Sequence, residues 1–266
     1  MKIKLLFFAL LAAGLPQPLL KAQTLPPFQV SNSTASLEFR ANGILTAKGI
    51  STGGNLLNTD MGAGTKFFWL PRLASFRAGK IEAGGHQWDN TTSGGNTNIG
   101  GASLALGLGT MASGTCASAL GFNTKADGSY ATAWGTLGIS TGTYAAVGGF
   151  HGFANGYAAL AWGNYTTALP SYSAALGFHS QALSYSAVAI GAYNVTTNVS
   201  VSPDGTTTWV ATDPLFQIGN GTDAIPSDAF IVYKNGTASV KTSLTASNFV
   251  ATTLPTATGD IPMLGH

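Results

Sequence analysis

Three short stretches, Leu104-Ala105-Leu106-Gly107, Ser118-Ala119-Leu120-Gly121 and Thr132-Ala133-Trp134-Gly135, decide the reading, because they differ in detail and keep one register. The same ending recurs in Ala146-Val147-Gly148-Gly149, Leu160-Ala161-Trp162-Gly163, Ala174-Ala175-Leu176-Gly177 and Val188-Ala189-Ile190-Gly191. Gly107, Gly121, Gly135, Gly149, Gly163, Gly177 and Gly191 are thus spaced 14 residues apart throughout. A second small column follows half a period later. Gly114, Gly128, Gly142 and Gly156 hold the seventh place after the repeat glycine, with Pro170 and Ser184 in the last two full units. Ala112, Ala126, Ser140, Ala154, Ala168 and Ala182 hold the fifth. A fixed period of this kind is the mark of a repeat architecture.

Fourteen residues punctuated every seven are too few for a helix pair and leave about five residues per straight stretch, the length of a strand. Two short strands per unit make one rung of an all-β parallel solenoid, with alternate side chains pointing in and out. The inward column must be small because a two-stranded coil is narrow. Glycine at a corner is expected to supply positive φ, and like residues one period apart stack in ladders. Seven rungs at about 4.8 Å give a rod roughly 30–35 Å long.

The column just before each repeat glycine (Leu106, Leu120, Trp134, Gly148, Trp162, Leu176, Ile190) admits two readings from spacing alone. It forms an outward apolar stripe, or it fills the coil's own interior. Between Gly100 and Ser200 the only charged residues are Lys125 and Asp127, so surface charge does not keep such rods apart. An outward stripe of that length predicts association, and a closed ring of three rods buries every copy. Phe122, Phe150 and Phe178 each follow a repeat glycine at alternate rungs and are candidate ligand or trimer contacts.

Outward from the repeats, the whole chain of 266 residues is 45% hydrophobic and only 8% charged, with 35 glycines. That is the wrong composition for a disordered chain, and the glycines lack a collagen's every-third spacing. The start, Met1-Lys2-Ile3-Lys4 followed by the apolar run Leu5 to Leu15, reads as a secretory signal peptide over residues 1–22, with cleavage expected after Ala22. Removing Lys2, Lys4 and Lys21 takes the formal charge from 12 − 10 = +2 to 9 − 10 = −1. A nucleic-acid partner then has no electrostatic basis. No other stretch approaches 18 apolar residues, so no membrane-spanning helix is expected after signal removal.

Catalysis finds little to work with. A single cysteine, Cys116, excludes a disulfide framework and a cysteine-rich metal site; at the ninth place, shared with Tyr130, Tyr144 and Tyr172, it reads as a half-buried small residue. His151 and His179 share the second place but lie 28 residues and so two rungs apart, about 10 Å, too far to ligate one metal. Glycosidase chemistry wants two carboxylates about 5–10 Å apart, and the repeats offer Asp127 alone. No G-x-S-x-G elbow precedes a helical pattern, and no aspartate recurs per repeat for calcium. Hexapeptide-repeat acyltransferases use a coil of different period. Glu38, Glu82, His86 and Asp89 show no recognisable spacing. The expectation is no catalytic residue, no metal and no cofactor.

The unit exemplified by Ala117-Ser118-Ala119-Leu120-Gly121 resembles the head repeat of YadA-like trimeric autotransporter adhesins of bacteria, over residues 100–193. The resemblance implies a left-handed parallel β-roll, a homotrimer, and a secreted or cell-surface adhesive role toward an extracellular protein or glycan ligand. Two units depart from the pattern, with Gly148 in the apolar place and Pro170 in a glycine place. Nothing after residue 193 resembles the family's coiled-coil stalk or β-barrel anchor, so these residues give no support for attachment to an outer membrane and leave an outer-membrane-associated location open.

Residues 23–99 read as a β-rich cap and lead-in, with alternating runs such as Ala35-Ser36-Leu37-Glu38-Phe39-Arg40 and a turn at Ala41-Asn42-Gly43-Ile44. An open solenoid end exposes unpaired strand edges and needs such a cover. Residues 194–251 read as a second β segment, with Asn235-Gly236 as its hairpin turn, and 252–266 as a flexible tail. Both flanks resemble parts of tail-fibre-like proteins. The alternative function is therefore a receptor-binding tail-fibre-like module of a phage or phage-like particle, against which the leader argues.

Overall fold

The computed structural model describes residues 29–31, 35–39, 45–49, 63–70, 73–83, 87–88, 98–196 and 209–241. The expected leader, the turn at residues 41–44, His86, Asp89 and the tail from Thr252 lie outside them. The chain divides into two units, Met1–Gly53 and Gly54–His266. In the first, β1 (Gln29–Ser31), β2 (Ala35–Phe39) and β3 (Leu45–Gly49) form a three-stranded antiparallel sheet in that order.

The second unit, among its described residues, is all-β and contains no helix. It opens with the antiparallel pair β4 (Gly64–Leu70) and β5 (Ser75–Ile81). Strands of five and two residues then alternate: β6 (Leu104–Leu108), β7 (Met111–Ala112), β8 (Ser118–Phe122), β9 (Lys125–Ala126), β10 (Thr132–Thr136), β11 (Ile139–Ser140) and β12 (Ala146–Phe150). The series continues through β13 (Phe153–Ala154), β14 (Leu160–Asn164), β15 (Thr167–Ala168), β16 (Ala174–Phe178), β17 (Gln181–Ala182) and β18 (Val188–Ala192). The five-residue strands stack in parallel on one side and the two-residue strands on the other, giving a β-solenoid of about six turns. The two halves of a coil are therefore unequal, where equal strands of about five were expected. A wide turn occupies the remainder of the second half.

Four columns of small side chains fill the interior. Ala105, Ala119, Ala133, Val147, Ala161, Ala175 and Ala189 from the long strands are at most 1% exposed. They face the fifth-place column from Ala112 to Ala182, the third-place column Thr110, Thr124, Gly138, Gly152, Thr166 and Ser180, and a fourth column beginning Ala117, Ala131 and Ala145. The one larger inward residue, Val147, sits where the facing column narrows. A Cβ on Gly138 or Gly152 would lie 2.8 or 2.6 Å from a Val147 methyl.

The glycines serve contact more than corners. Gly121 has φ 120° but lies inside β8, and a Cβ there would fall 2.0 Å from the carbonyl oxygen of Gly135. Gly128, at the expected corner, has no positive φ, and its Cβ would meet the Gly142 oxygen at 2.0 Å. Both columns are glycine because one coil's backbone rests on the next. Left-handed φ at the corners falls instead to residues with side chains, such as Tyr130 at 60° and His151 at 55°. Pro170 fits its glycine place because the N–H there makes only a long bond to a carbonyl already in use, as Gly142 does at 3.4 Å to the Ala154 oxygen that Thr141 holds at 2.9 Å.

Both ends continue the register and then change hands. β5 pairs parallel with β6, placing Arg77 opposite Ala105 and Gly79 opposite Gly107. At the far end β19 (Pro214–Asn220) pairs parallel with β18, placing Gln217 opposite Ala189 and Gly219 opposite Gly191. Gly79 and Gly219 each stand 28 residues, two periods, from the nearest repeat glycine. Beyond β19, β20 (Asp228–Tyr233) and β21 (Ala238–Val240) add antiparallel, joined by a turn with Gly236 at φ 85°.

The interior is plugged at each end by polar groups. Arg77, fully buried, donates from Nη1 to the Phe76 and Ser103 carbonyls and from Nη2 to Ser103 Oγ and the Ala112 carbonyl, at 2.8–3.0 Å. Burial lowers the pKa of its guanidinium to about 10, below the ordinary value. Trp88 closes the same end, its Nε1 donating to the Thr110 carbonyl at 2.7 Å. At the other end the Asn194 side chain stands in for a strand. Its Oδ1 accepts from the Gln181 N–H at 2.8 Å and its Nδ2 donates to the Gln181 carbonyl at 2.9 Å.

Candidate functional site

Three aromatic lines run along the outside of the rod. The first lies at the corner leaving each long strand, where Asn123, Leu137, His151, Tyr165, His179 and Tyr193 take φ between 45° and 57°. Left-handed backbone costs about 1–2 kcal/mol for a residue with a Cβ. It persists because each N–H at the corner bonds one coil back, as His151 does to Thr136 at 2.9 Å and His179 to Asn164 at 2.8 Å. That backbone register sets the side chains above one another. His151, Tyr165, His179 and Tyr193 form a continuous stack, with centroids 4.9, 4.7 and 4.5 Å apart and planes within 8–19° of parallel.

Phe122, Phe150 and Phe178 end β8, β12 and β16 and are 40%, 37% and 44% exposed; the last two flank this stack. Phe150 stands at 67° to His151 and 75° to Tyr165; Phe178 stands at 73° to His179 and 81° to Tyr193. The second line runs along the opposite corner. Tyr130 and Tyr144 stack at 4.9 Å, and Tyr157, Tyr172 and Tyr185 continue edge to face at 5.4–5.7 Å. Cys116 shares this corner and is exposed, not half-buried as its small apolar character suggested. Its backbone, at φ 56°, makes the same corner as the tyrosines and turns the side chain outward.

The third line is the column preceding the repeat glycine, and it faces outward. Trp134 and Trp162 are 59% and 47% exposed, and Leu106, Leu120, Leu176 and Ile190 are half-buried. The interior reading of this column is thereby overturned, because the neighbouring alanines already fill the coil. Gly148 is the space that Trp162 uses: a Cβ there would lie 2.2 Å from the indole, which meets Trp134 edge to face at 6.3 Å.

The repeat charges form one local pair, Lys125 Nζ to Asp127 Oδ2 at 2.6 Å. Exposed as it is, such a pair stabilises by less than about 1 kcal/mol. His151 and His179 sit two coils apart with Tyr165 between them, as the spacing predicted. Among the described residues no three His, Cys, Asp or Glu side chains come together as a metal cage.

The C-terminal end holds an open cleft of about 380 Å³ lined by Gln217, Asp228, Tyr233 and Lys241 among others. Asp228 accepts from Gln217 Nε2 at 3.0 Å and from the Val195 N–H at 3.2 Å. Burial raises its pKa above the ordinary carboxylate value, and those hydrogen bonds and Lys241 pull against the rise. Nearby, Lys234 Nζ is buried 3.8 Å from Asp213 Oδ2, over the rings of Trp209 and Tyr185, and burial lowers its pKa against the opposing pull of Asp213.

The repeat spacing placed the phenylalanines, while the stack beside them escaped it because its column mixes leucine, histidine and tyrosine. Aligning second-place residues at intervals of 14 would have shown four rings in succession. Comparison with family models, with curated proteins and with solved structures finds no match for this chain.

Proposed function

We propose that the chain is a secreted or cell-surface, non-enzymatic adhesin head, a left-handed β-roll that assembles as a homotrimer and attaches its bearer to extracellular protein or glycan surfaces. The observation that carries the reading is the outward stripe from Leu106 to Ile190, with Trp134 and Trp162 half open, on coils whose only charges are Lys125 and Asp127. A lone rod leaves that apolar line in water; three rods around an axis cover all three copies. The head-repeat resemblance supplies the adhesive role. Flat lines of aromatic, Ser, Thr and Asn side chains suit weak contacts repeated many times.

Light scattering on the purified chain tests the assembly. Three chain masses are expected, falling to one when Trp134 and Trp162 are both replaced by Ser with β-rich circular dichroism retained. A folded monomer of the unaltered chain overturns the trimer. Adherence of beads coated with the trimer, compared with uncoated beads on host cells and extracellular matrix, tests the attachment role.

A further inference from the structure

We propose that the Phe122, Phe150 and Phe178 edge is a binding strip for a neutral, extended, β-1,4-linked polysaccharide. The proposal deepens the surface-attachment reading and rests on it for this edge being exposed outside the assembly. Ring direction is the first ground. The His151 to Tyr193 rings follow one another along the rod at 4.5–4.9 Å with nearly parallel planes. Phe150 and Phe178 stand at 67–81° to them, outside the stack, and each is partly open to water. An exposed ring left out of the stack can receive the C–H face of a sugar on its π-face, the usual way an aromatic holds a carbohydrate.

Spacing is the second ground. The three phenylalanines are 28 residues apart, two coils, which is an advance of about 10 Å. An extended β-1,4-linked chain turns each sugar over relative to the last, so the same face returns every second sugar, at about that distance. Between the phenylalanines the same column carries the polar Thr136 and Asn164, opposite the sugars that face away. The stack beside them exposes the edges of Tyr165 and the histidines, which carry the hydroxyl and ring nitrogens that hydrogen-bond to sugar hydroxyls.

Charge is the third ground. Lys125 and Asp127 neutralise each other, and no other ionic group lies between Gly100 and Ser200 to select a charged polymer. Each stacking contact is weak, and a strip of three on each subunit makes retention depend on the number engaged.

The test is retention of the full chain on insoluble cellulose and chitin, with amylose as an α-1,4-linked control and heparin as a charged one. Retention on cellulose or chitin is expected, and neither control should hold the protein. The triple replacement Phe122→Thr, Phe150→Thr, Phe178→Thr should weaken it at least tenfold, and Thr136 shows that threonine folds at this place in the coil. Moving one ring, Phe150→Thr with Thr136→Phe, keeps three phenylalanines but breaks the two-coil pitch, and should weaken retention comparably. No retention on cellulose or chitin overturns the proposal, as does retention unchanged in the triple variant. Equal retention on amylose, or in the shifted variant, overturns the pitch argument on which it stands. Light scattering on the same samples separates the two readings: a trimer that ignores both glycans refutes only the strip, and a monomer that binds them refutes only the assembly.

Discussion

The middle of the rod and its two ends fill the same narrow interior with opposite residues. From Ala105 to Ala189 the inward column is alanine with one valine; in the same column stand Arg77 at one end and Gln217 at the other. In the middle, each backbone group meets its partner in the next coil, and the side chain need only stay out of the way. At the ends the regular coils stop, and long polar side chains add hydrogen bonds of their own. Arg77 adds a second donor to the Ser103 and Ala112 carbonyls, which also accept from the Phe76 and Gly100 N–H groups; Gln217 reaches the Val195 carbonyl and Asp228, and Asn194 takes the place of a strand at Gln181. A repeat protein of this kind is uniform where periodicity satisfies the backbone and particular where it stops.

The largest effect should come from breaking the uniform part at its tightest point. Gly121→Ala puts a Cβ 2.0 Å from the Gly135 carbonyl oxygen at φ 120° and is expected to cost more than about 4 kcal/mol or abolish folding, read as the urea midpoint. The same substitution at Gly101, beside the N-terminal end and with open space around it, should change stability by less than about 0.5 kcal/mol. Equal losses at both positions would remove the distinction between coil contact and end.

Next comes the buried cation. Arg77→Ala removes its hydrogen bonds to Ser103 and the Ala112 carbonyl, which keep their other partners, and empties the space of a fully buried side chain; it should cost about 3 kcal/mol, with faster amide exchange in β6 and β7 than in β14 and β15. Exchange that accelerates evenly along the rod would contradict a local end plug.

A smaller effect tests the one irregular coil. Val147→Ala should cost about 1.5 kcal/mol for the lost methyls, and Gly138→Ala about 1–3 kcal/mol for the clash with them. Together they should cost clearly less than their sum, since each relieves the other; strict additivity in a double-mutant cycle would show that the two columns do not touch.

The smallest concerns Asp228 at the far end. Its raised pKa means the folded chain holds that proton to a higher pH than the unfolded chain, whose carboxyl releases it near 3.8. Its contribution to stability is therefore full at low pH and is lost as pH rises from 3.8 through the folded value. Asp228→Asn should flatten that part of the profile of melting temperature against pH, and an unchanged slope would assign it to other groups.

Much of the middle was legible because its constraint is periodic. The glycines from Gly107 to Gly191 and the alanines two places before them announce backbone contact and a narrow interior in every unit. What escaped was set between units or at their ends. Trp162 explains Gly148, and Val147 explains Gly138 and Gly152, only once adjacent coils are in register. The left-handed corners carry Tyr, His, Leu and Cys because coil-to-coil hydrogen bonds hold a conformation those residues disfavour alone. Arg77-Ala78-Gly79 and Gln217-Ile218-Gly219 share the phase of the repeats, but each is set off from them by a double interval and puts a polar residue where alanine belongs. Of the candidate strip, the phenylalanines were visible and the stack that meets Phe150 and Phe178 was not.

The parallel ladder has a mechanical consequence. Its interstrand hydrogen bonds run along the rod, so tension between the two ends loads them one coil at a time and not all together. Yielding should proceed in steps, each releasing the 14 residues of one repeat, about 45–50 Å of chain. Under steady pulling in a force spectrometer, that predicts a sawtooth of low, evenly spaced peaks: a tether that lengthens under load before it lets go.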